Sequence, residues 1–326
     1  MAKIFVTRKI PEAGLKLLAK NNTLKIYPAD KAIPRKDLLA GVKWCDALLC
    51  LLTDKIDSQV IKANPHLKII SNYAVGFNNI DVKSATAKGI PIANTPGPEI
   101  VDAVAEHTFA LMLSISKRVV EGDHFIRRGK YKGWEPMLLL GQQIKGKILG
   151  IVGLGRIGAG VAERAGKGLG MNIWYYDVIR NKQFERKYKA KFVSLPTLLK
   201  QADIVTVHVP LIKETKHLIG IKEFSLMKKT AFLINTSRGP VVDEIALVKA
   251  LKAKKLAGAA LDVFEFEPKL APGLIKLKNV ILTPHTASAT VEAREEMSVS
   301  AAKNILAVLR GMKPTNLVNP EIYDQK

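Results

Sequence analysis

The sequence predicts an α/β protein made of two parallel-sheet units, one of them inserted in the other. Along most of the 326 residues, short apolar runs alternate with helix-length segments, as in parallel strands joined by crossover helices. The chain is also about twice as long as a typical single domain. A glycine-rich loop at residues 153–158 stands where a predicted strand meets a predicted helix.

The N-terminal unit is predicted from apolar runs that are separated by helical stretches. Its strands are expected at residues 3–6, 47–52, 68–71 and 90–93. The segment from Glu99 to Arg128 contains no proline and repeats apolar residues at helical spacing. It is therefore predicted as one long helix that leads into the second unit.

The second unit is predicted from further apolar runs with helical segments between them. Their nearly continuous apolar character fits strands that are buried on both faces of a parallel sheet. These strands are expected at residues 148–152, 172–176, 204–209, 231–235, 257–263 and 280–282.

The C-terminal segment is predicted to return to the first unit. A helical run extends from Thr290 to Leu309, and Gly311 and Pro314 follow its end. The 41 residues after His285 are too few for a third domain. The expected domains are therefore residues 1–98 with 288–326, and residues 99–287 inserted between them.

The composition excludes some classes of protein. With 48% hydrophobic and 25% charged residues, the chain is typical of globular proteins, and its apolar runs are too short to cross a bilayer. The N-terminal residues lack the apolar segment of a signal peptide, so a cytoplasmic protein is expected. Cys45 and Cys50 lack the spacing of metal ligands, and no metal site is predicted.

The net charge of +22 raises the possibility of a nucleic-acid partner. The basic residues are nevertheless spread along the chain, mostly as single lysines on predicted helices, and there is no basic tail. This distribution is more typical of solvated helix faces than of a binding surface, so nucleic-acid binding is not favoured.

The glycine-rich loop has the spacing Gly153-x-Gly155-x-x-Gly158 of a dinucleotide-binding turn. The first glycine permits the tight turn, the second permits close approach to the pyrophosphate, and the third permits helix–strand packing. Asp177 follows the next predicted strand and would bind the ribose hydroxyls. NAD(H) is therefore predicted, and NADP(H) is less favoured, although Arg180 and Lys182 could accept a 2′-phosphate.

Three polar side chains follow three different strands of the second unit. Arg238, Glu267 and His285 should lie at the carboxyl edge of the sheet, where α/β proteins bind their ligands. Each alone could be a surface or loop residue. Together they suit proton transfer to an anionic substrate, with His285 moving the proton, Glu267 pairing with it and Arg238 holding the anion.

Five motifs give the chain a resemblance to the D-isomer-specific 2-hydroxyacid dehydrogenase family over essentially its whole length. Within that family the sequence looks most like the glyoxylate and hydroxypyruvate reductase branch. The motifs are VGFNNID (residues 75–81), GIVGLGRIG (150–158), LINTSRG (233–239), LDVFEFEP (261–268) and TPH (283–285).

The resemblance implies a Rossmann-type doubly wound parallel sheet domain inserted in a flavodoxin-like α/β substrate domain. It implies catalytic roles for Arg238, Glu267 and His285, with His285 as the proton donor. The substrate, a small anionic 2-oxo acid, would be bound by Leu52, Val75, Gly76, Arg238 and His285. The implied cofactor-binding residues are Gly153, Leu154, Gly155, Arg156, Ile157, Gly158, Asp177, Pro210, Thr236, Arg238, Asp262, His285 and Ala287.

The resemblance also implies a homodimer built around the predicted helix at residues 99–128. Other functions stay open at this point. The same fold could serve as an NAD-sensing scaffold, as in the transcriptional corepressors that resemble this family. The enzyme could also act on a bulkier acid such as phosphoglycerate or 2-ketogluconate.

Overall fold

The computed structural model describes residues 1–324 and contains two compact units. Unit 1 comprises residues 1–100 together with the C-terminal segment from Ala289, and unit 2 comprises Val101–Ser288. Each unit is built on its own all-parallel sheet. The predicted α/β class is confirmed.

Unit 1 contains a five-stranded sheet in the order β2-β1-β3-β4-β5. The strand order reverses beside β1, as in other doubly wound sheets. The strands are β1 (Lys3–Val6), β2 (Thr23–Ile26), β3 (Ala47–Leu51), β4 (Ile69–Tyr73) and β5 (Ile92–Ala93), and the helices are α1 (Glu12–Ala19), α2 (Arg35–Trp44), α3 (Ser58–Lys62) and α4 (Val82–Thr86). The sequence prediction missed β2, an edge strand whose residues are exposed or only half-buried.

The helix predicted for residues 99–128 is wrong as a single element. The structure contains α5 (Pro98–Lys117) and α6 (Val119–Arg127), separated by Arg118 in a left-handed conformation with φ 58°. The chain crosses the end of α5, where Gln142 N donates to the carbonyl oxygen of Ser116 at 2.8 Å. That carbonyl is therefore bound by a distant segment, which ends the helix where apolar periodicity alone would continue it.

Unit 2 contains a seven-stranded sheet in the order β12-β11-β10-β9-β6-β7-β8. Its strands are β6 (Ile148–Val152), β7 (Asn172–Tyr176), β8 (Lys191–Phe192), β9 (Ile204–Val207), β10 (Phe232–Asn235), β11 (Gly258–Leu261) and β12 (Val280–Leu282). The helices are α7 (Arg156–Leu169), α8 (Lys182–Tyr188), α9 (Leu195–Gln201), α10 (Ile221–Leu226) and α11 (Glu244–Lys252). The prediction missed the two-residue strand β8 at the sheet edge.

Both faces of the unit 2 sheet are covered by apolar side chains. Val205 and Leu233 belong to one buried cluster, whereas Ile151 and Ile234 belong to the other. Neighbouring residues along a strand point to opposite faces, so both must be apolar in such a strand. This double burial explains the continuous apolar runs in the sequence.

The C-terminal helix α12 (Val291–Leu309) packs in unit 1 against α1 and β4. Thr290 caps its first turn by accepting a hydrogen bond from Ala293 N. In its middle, the buried Ser298 hydroxyl donates to Pro11 O at 2.7 Å and accepts from Gly14 N at 3.0 Å. Gly14 is required at this contact, because a Cβ there would overlap Ser298.

Within the described residues, no helix has the length and apolar character needed to span a membrane.

Replacing Ser298 with Ala should lower the free energy of unfolding of unit 1 by about 1–3 kcal/mol, because Gly14 N and Pro11 O would lose their buried partner. Urea denaturation followed by circular dichroism measures this change. Ser225→Ala removes an exposed hydroxyl in unit 2 and is the control, with an expected change below about 0.5 kcal/mol. Equal stability of the two variants would contradict the structural role of Ser298.

Candidate active site

The catalytic candidates of unit 2 lie at the carboxyl edge of its sheet. Arg238 follows β10, Glu267 follows β11 and His285 follows β12. These are neighbouring parallel strands, so their carboxyl ends lie side by side. The structure therefore brings together side chains that are separated by 47 residues in the sequence.

The His285 side chain is held from two directions. Its backbone has a left-handed conformation with φ 55°, and its amide donates to Asp262 O at 2.8 Å. Its ring nitrogen Nδ1 lies 3.1 Å from Glu267 Oε2. Because Nδ1 is engaged by the carboxylate, Nε2 is the ring nitrogen that can exchange a proton with a ligand. The side chain is 26% exposed, so solvent and small molecules have access to it.

Glu267 connects His285 with Arg238. Burial opposes ionisation of this carboxyl group, but its hydrogen bonds with His285 and with Phe264 N, and the positive charge of Arg238, outweigh burial and hold its pKa below the usual value. The Phe264 amide donates to Oε1 at 2.9 Å. Glu267 is therefore an ionised carboxylate at neutral pH, fixed on one oxygen and facing His285 with the other.

Arg238 is half-buried beside this pair. Its loop is shaped by Asn235, whose side chain donates to Arg238 O at 3.0 Å and accepts from Ser237 N at 3.0 Å. Burial lowers the pKa of Arg238, and the charge of Glu267 opposes that shift. An arginine keeps its charge at any physiological pH, so Arg238 presents a planar cation at the sheet edge.

Gly239 permits the close approach of the two catalytic loops. A Cβ at this position would lie 1.9 Å from the carbonyl carbon and oxygen of Phe264. Glycine is therefore needed where the Arg238 loop passes the loop that carries Glu267.

The Asp262 side chain binds the residues on both sides of His285 in the sequence. This fully buried carboxylate accepts hydrogen bonds from Thr283 Oγ1 at 2.6 Å and from the amides of Thr286 and Ala287 at 2.8 Å each. His107 Nε2 lies 3.4 Å from the same carboxylate. Burial opposes ionisation of Asp262, but these contacts prevail and lower its pKa. The role in cofactor binding that the family resemblance implies for Asp262 stays a prediction.

Sequence reasoning missed His107 because nothing around it indicates a functional residue. It lies within the apolar helix α5, and its contacts are with Thr283 at 3.1 Å and Asp262, more than 150 residues away. The signal that could have identified it is a polar ring on a helix that is otherwise apolar on this face.

A second network that the sequence did not reveal supports the loop after β11. The backbone amides of Glu244 and Glu265 are each bound by the other residue's carboxylate, at 3.2 and 2.6 Å. Glu265 Oε1 also lies 2.6 Å from His217 Nε2. Burial raises the pKa of Glu244. These bonds fix the segment that leads directly to Glu267.

The glycine-rich loop between β6 and α7 has the geometry of a phosphate cradle. Gly153 has φ 97°, and a Cβ there would meet His208 and Val209. A Cβ on Gly158 would lie 2.0 Å from Gly153 O, so this glycine lets the helix approach the strand. A Cβ on Gly155 would have no heavy atom within 4 Å. The space in front of Gly155 and the helix N-terminus behind it fit a pyrophosphate.

Asp177 lies directly after β7, beside the glycine-rich loop. Its Oδ2 accepts from Leu154 N at 2.6 Å, and its Oδ1 accepts from Ile179 N at 3.3 Å. The carboxylate is therefore fixed at the loop, where the adenosine ribose of a dinucleotide is bound in folds of this kind.

The other predicted cofactor residues of unit 2 occupy the same edge of the sheet. Arg156 and Ile157 begin helix α7, and Pro210 is exposed after β9. Thr236 is buried after β10, with its hydroxyl 3.0 Å from that of Thr108. Ala287 is buried after His285.

The predicted substrate residues of unit 1 lie at the carboxyl ends of its own strands. Leu52 follows β3, and Val75 and Gly76 follow β4. The carbonyl oxygens of Val75 and Gly76 accept hydrogen bonds from the side chains of Asn94 and Asn72, at 2.7 and 2.9 Å. In residues 1–324 the amides of Val75 and Gly76 donate no hydrogen bond, which leaves them available to an anion.

Metal ligands are not grouped anywhere in residues 1–324, where no cluster of three or more His, Cys, Asp or Glu side chains could hold a metal ion.

The dinucleotide loop and the Arg238, Glu267 and His285 set define a nicotinamide-dependent oxidoreductase. A family model described as "D-isomer specific 2-hydroxyacid dehydrogenase, NAD binding domain" matches residues 109–287. The chain belongs to the D-isomer specific 2-hydroxyacid dehydrogenase family. The resemblance stated from the five sequence motifs is thereby confirmed.

Similar proteins cover nearly the whole chain. A glyoxylate reductase of Thermococcus litoralis is 51% identical over 98% of this chain and 97% of its own length. The crystal structure of the TT0316 protein from Thermus thermophilus matches with a TM-score of 0.90 and 39% identity, over 97% and 99% of the two chains. That of a glyoxylate reductase from Paecilomyes thermophila matches with a TM-score of 0.87 and 32% identity, over 100% and 99%.

Gly155→Ala and Gly158→Ala should have opposite effects on binding and stability. The methyl group of Gly155→Ala enters open space, so thermal stability should be unchanged, but the group occupies the phosphate position. NADH affinity should fall by about tenfold or more, the equivalent of one or two hydrogen bonds to a charged group. Gly158→Ala should instead lower the free energy of unfolding by about 1–3 kcal/mol, because it clashes with Gly153 O.

Fluorescence titration with NADH and thermal unfolding measure both effects. A Gly155→Ala protein that binds NADH as tightly as the unaltered chain would show that the loop does not contact the cofactor.

Proposed function

We propose that this protein is an NADH-dependent reductase of glyoxylate, with hydroxypyruvate as a second small 2-oxo acid. The observation that carries the proposal is the His285–Glu267 pair beside Arg238, at the sheet edge that also carries the dinucleotide loop. Relatives named glyoxylate reductase, about half identical over nearly the whole chain, support the same substrate class.

The chemistry requires a hydride and a proton. When bound, the reduced nicotinamide supplies the hydride to the carbonyl carbon. His285 donates the proton from Nε2 to the carbonyl oxygen, so the aldehyde becomes an alcohol and the imidazole becomes neutral. Glu267 stabilises the protonated ring through Nδ1, at 3.1 Å. Solvent then returns the proton to His285, which is 26% exposed.

Arg238 recognises the substrate in this proposal. Its planar guanidinium pairs with the carboxylate and the carbonyl oxygen of a 2-oxo acid, and polarises the carbonyl bond before hydride arrives. In unit 1, the amides of Val75 and Gly76 are proposed to bind an anionic group, and Leu52 offers an apolar side chain after β3. The relatives named glyoxylate reductase favour a two- or three-carbon acid over phosphoglycerate or 2-ketogluconate.

The proposed cofactor is NAD(H) rather than NADP(H). The Asp177 carboxylate is fixed by Leu154 N at 2.6 Å, so it can accept hydrogen bonds from ribose hydroxyls. A 2′-phosphate at the same place would meet a negative charge.

The homodimer and the cytoplasmic location expected from the sequence also stay proposals. Exposed apolar side chains concentrate on α6 and the following loop, and large patches of this kind mark protein interfaces. They are Val119 (55% exposed), Ile126 (55%), Trp134 (82%), Met137 (76%) and Leu140 (57%). A second copy of the chain is the proposed occupant.

An NAD-sensing scaffold is the second candidate function. A scaffold needs a dinucleotide loop but no proton donor, and the paired His285 and Glu267 therefore favour the enzyme.

The test of the proposed function is turnover by the unaltered protein and by His285→Gln. The substitution removes the proton donor, so kcat with glyoxylate should fall by about 10²–10⁴-fold. Initial rates of NADH oxidation measure kcat, and fluorescence titration should show NADH affinity within about twofold of the unaltered protein, because the loss lies in proton transfer. Negligible turnover by the unaltered protein, with intact NADH binding, would favour the scaffold.

Glu267→Gln is the matched variant in the same experiment. The amide keeps the shape of Glu267 but removes the charge that stabilises protonated His285. Without the carboxylate the ring loses its charged partner at Nδ1, so kcat with glyoxylate should fall by about tenfold or more, while NADH affinity stays within about twofold. An unchanged kcat would contradict the role of the pair.

Light scattering should give a mass of twice 35.8 kDa for the unaltered protein. Ile126→Lys places a charge in the exposed apolar surface of α6 and should shift the mass towards the monomer. Ile275→Lys changes a residue that is 72% exposed elsewhere in unit 2 and should leave the dimer intact. A monomeric unaltered protein would refute the proposed dimer.

A further inference from the structure

The side chain of Arg180 is bound by Glu185, although it follows closely after the ribose-binding Asp177. Arg180 Nε lies 2.9 Å from Glu185 Oε1, and Nη2 lies 2.8 Å from Oε2. This is a two-point contact in which the planar guanidinium is matched to the planar carboxylate. The guanidinium also lies 5.7 Å from the ring centroid of Phe192.

Glu185 is itself held by Tyr175, a residue of the unit 2 core. The Tyr175 hydroxyl donates to Glu185 Oε1 at 2.8 Å and accepts from Asn181 N at 2.8 Å. The Tyr175 side chain belongs to the apolar core of unit 2. The hydrogen bonds from Arg180 and then Tyr175 lower the pKa of Glu185 to about 2, so the carboxylate is charged at any physiological pH.

We propose that Glu185 is a specificity-determining residue, which withholds Arg180 from the 2′-phosphate of NADP(H) and so strengthens the preference for NAD(H). This inference rests on the proposed cofactor binding at Asp177. A free arginine at this place would bind a phosphate through the nitrogens that now bind Glu185. A 2′-phosphate would have to displace a carboxylate that Tyr175 anchors.

The anchoring separates this arrangement from an ordinary surface ion pair. Exposed pairs exchange partners at little cost, because two flexible side chains must be ordered to form them. Here Tyr175 orders the carboxylate, and the α8 N-terminus is capped by Asn181 Oδ1, which accepts from Phe184 N at 2.9 Å. The position of the Arg180 partner is therefore set by the fold. Asp177 and Glu185 act in different ways, since Asp177 repels the 2′-phosphate and Glu185 occupies Arg180, the cation that would bind it.

The experiment compares binding of 5′-AMP and 2′,5′-ADP by calorimetry. These probes differ in the 2′-phosphate alone, and their binding does not depend on catalysis. Glu185→Gln removes the charge that holds Arg180, so affinity for 2′,5′-ADP should rise by about tenfold, the equivalent of one charge-assisted hydrogen bond. Affinity for 5′-AMP should stay within about twofold, and kcat/KM with NADPH should rise in parallel with 2′,5′-ADP affinity.

Two further variants assign the effect to Arg180. Arg180→Gln alone should leave 2′,5′-ADP affinity unchanged, because Glu185 already occupies the guanidinium. Adding Arg180→Gln to Glu185→Gln should abolish the gain. The Glu185 and Arg180 variants are also made in an Asp177→Asn background, because the charge of Asp177 repels the 2′-phosphate and lowers the 2′,5′-ADP affinity to be measured. The Asp177→Asn substitution removes this repulsion, and its amide oxygen can still accept the hydrogen bond from Leu154 N.

Glu163→Gln is the matched control. It also removes one ion-paired carboxylate of unit 2, whose partner Lys167 lies at 2.9 Å, and it changes the net charge equally. It should leave the affinity for both probes unchanged. Thermal unfolding verifies that Glu185→Gln is folded. Tyr175→Phe is a second way to release Arg180, because it removes the hydrogen bond that holds the Glu185 carboxylate and keeps the charges of both Arg180 and Glu185.

Specific results would overturn the inference. An unchanged 2′,5′-ADP affinity in Glu185→Gln, a gain that survives the loss of Arg180, or an equal gain in Glu163→Gln would each refute it while 5′-AMP binding remained intact. A protein that binds neither probe would instead refute the proposed cofactor binding, and the inference with it.

Discussion

The buried carboxylate of Asp262 is the constraint on which the geometry around His285 depends. It gathers Thr283 Oγ1 and the amides of Thr286 and Ala287, so the chain turns sharply around His285. A histidine with φ 55° is an unfavourable backbone conformation, and these bonds offset its cost. The ring is thereby directed to Glu267 rather than along the strand. His107 contributes from helix α5, so a helix and two strands jointly fix one residue.

Each carboxyl group near His285 has a specific hydrogen-bonding or charged partner. Glu267 is hydrogen-bonded to His285 and lies near the Arg238 cation, and these contacts keep it ionised despite its partial burial. The carboxyl groups behind it are directed at backbone amides, as in the reciprocal bonds between Glu244 and Glu265. These carboxyl groups therefore fix the loop through its backbone amides. Under the proposed function, the Arg238 cation near Glu267 is the group that attracts the anionic 2-oxo acid.

The sequence pattern predicted the elements whose conformation depends on residues that are close together in the sequence. Strands such as Ile148–Val152 are apolar throughout because both faces are buried, and the glycine spacing indicates the cofactor turn. The edge strands Thr23–Ile26 and Lys191–Phe192 carry no such pattern, because one side is solvent. The break at Arg118 depends on Gln142, and the His107 and His217 networks join residues that are distant in sequence. Residues that follow strands could be predicted, but the side chains that position them could not.

The high net charge cannot by itself select the cofactor. A total of +22 attracts every nucleotide, and it attracts a dinucleotide with an additional phosphate more strongly. Long-range attraction therefore favours NADP(H), and any preference for NAD(H) has to be created within a few ångströms of the ribose, where screening by salt is least effective. Asp177 and Glu185 are carboxylates in an otherwise basic chain, each fixed by a hydrogen bond from the fold itself, and the proposed binding mode places the ribose beside them. Selectivity for NAD(H) in such a protein depends on where individual carboxylates are anchored, because the net positive charge of the whole chain attracts the additional phosphate of NADP(H).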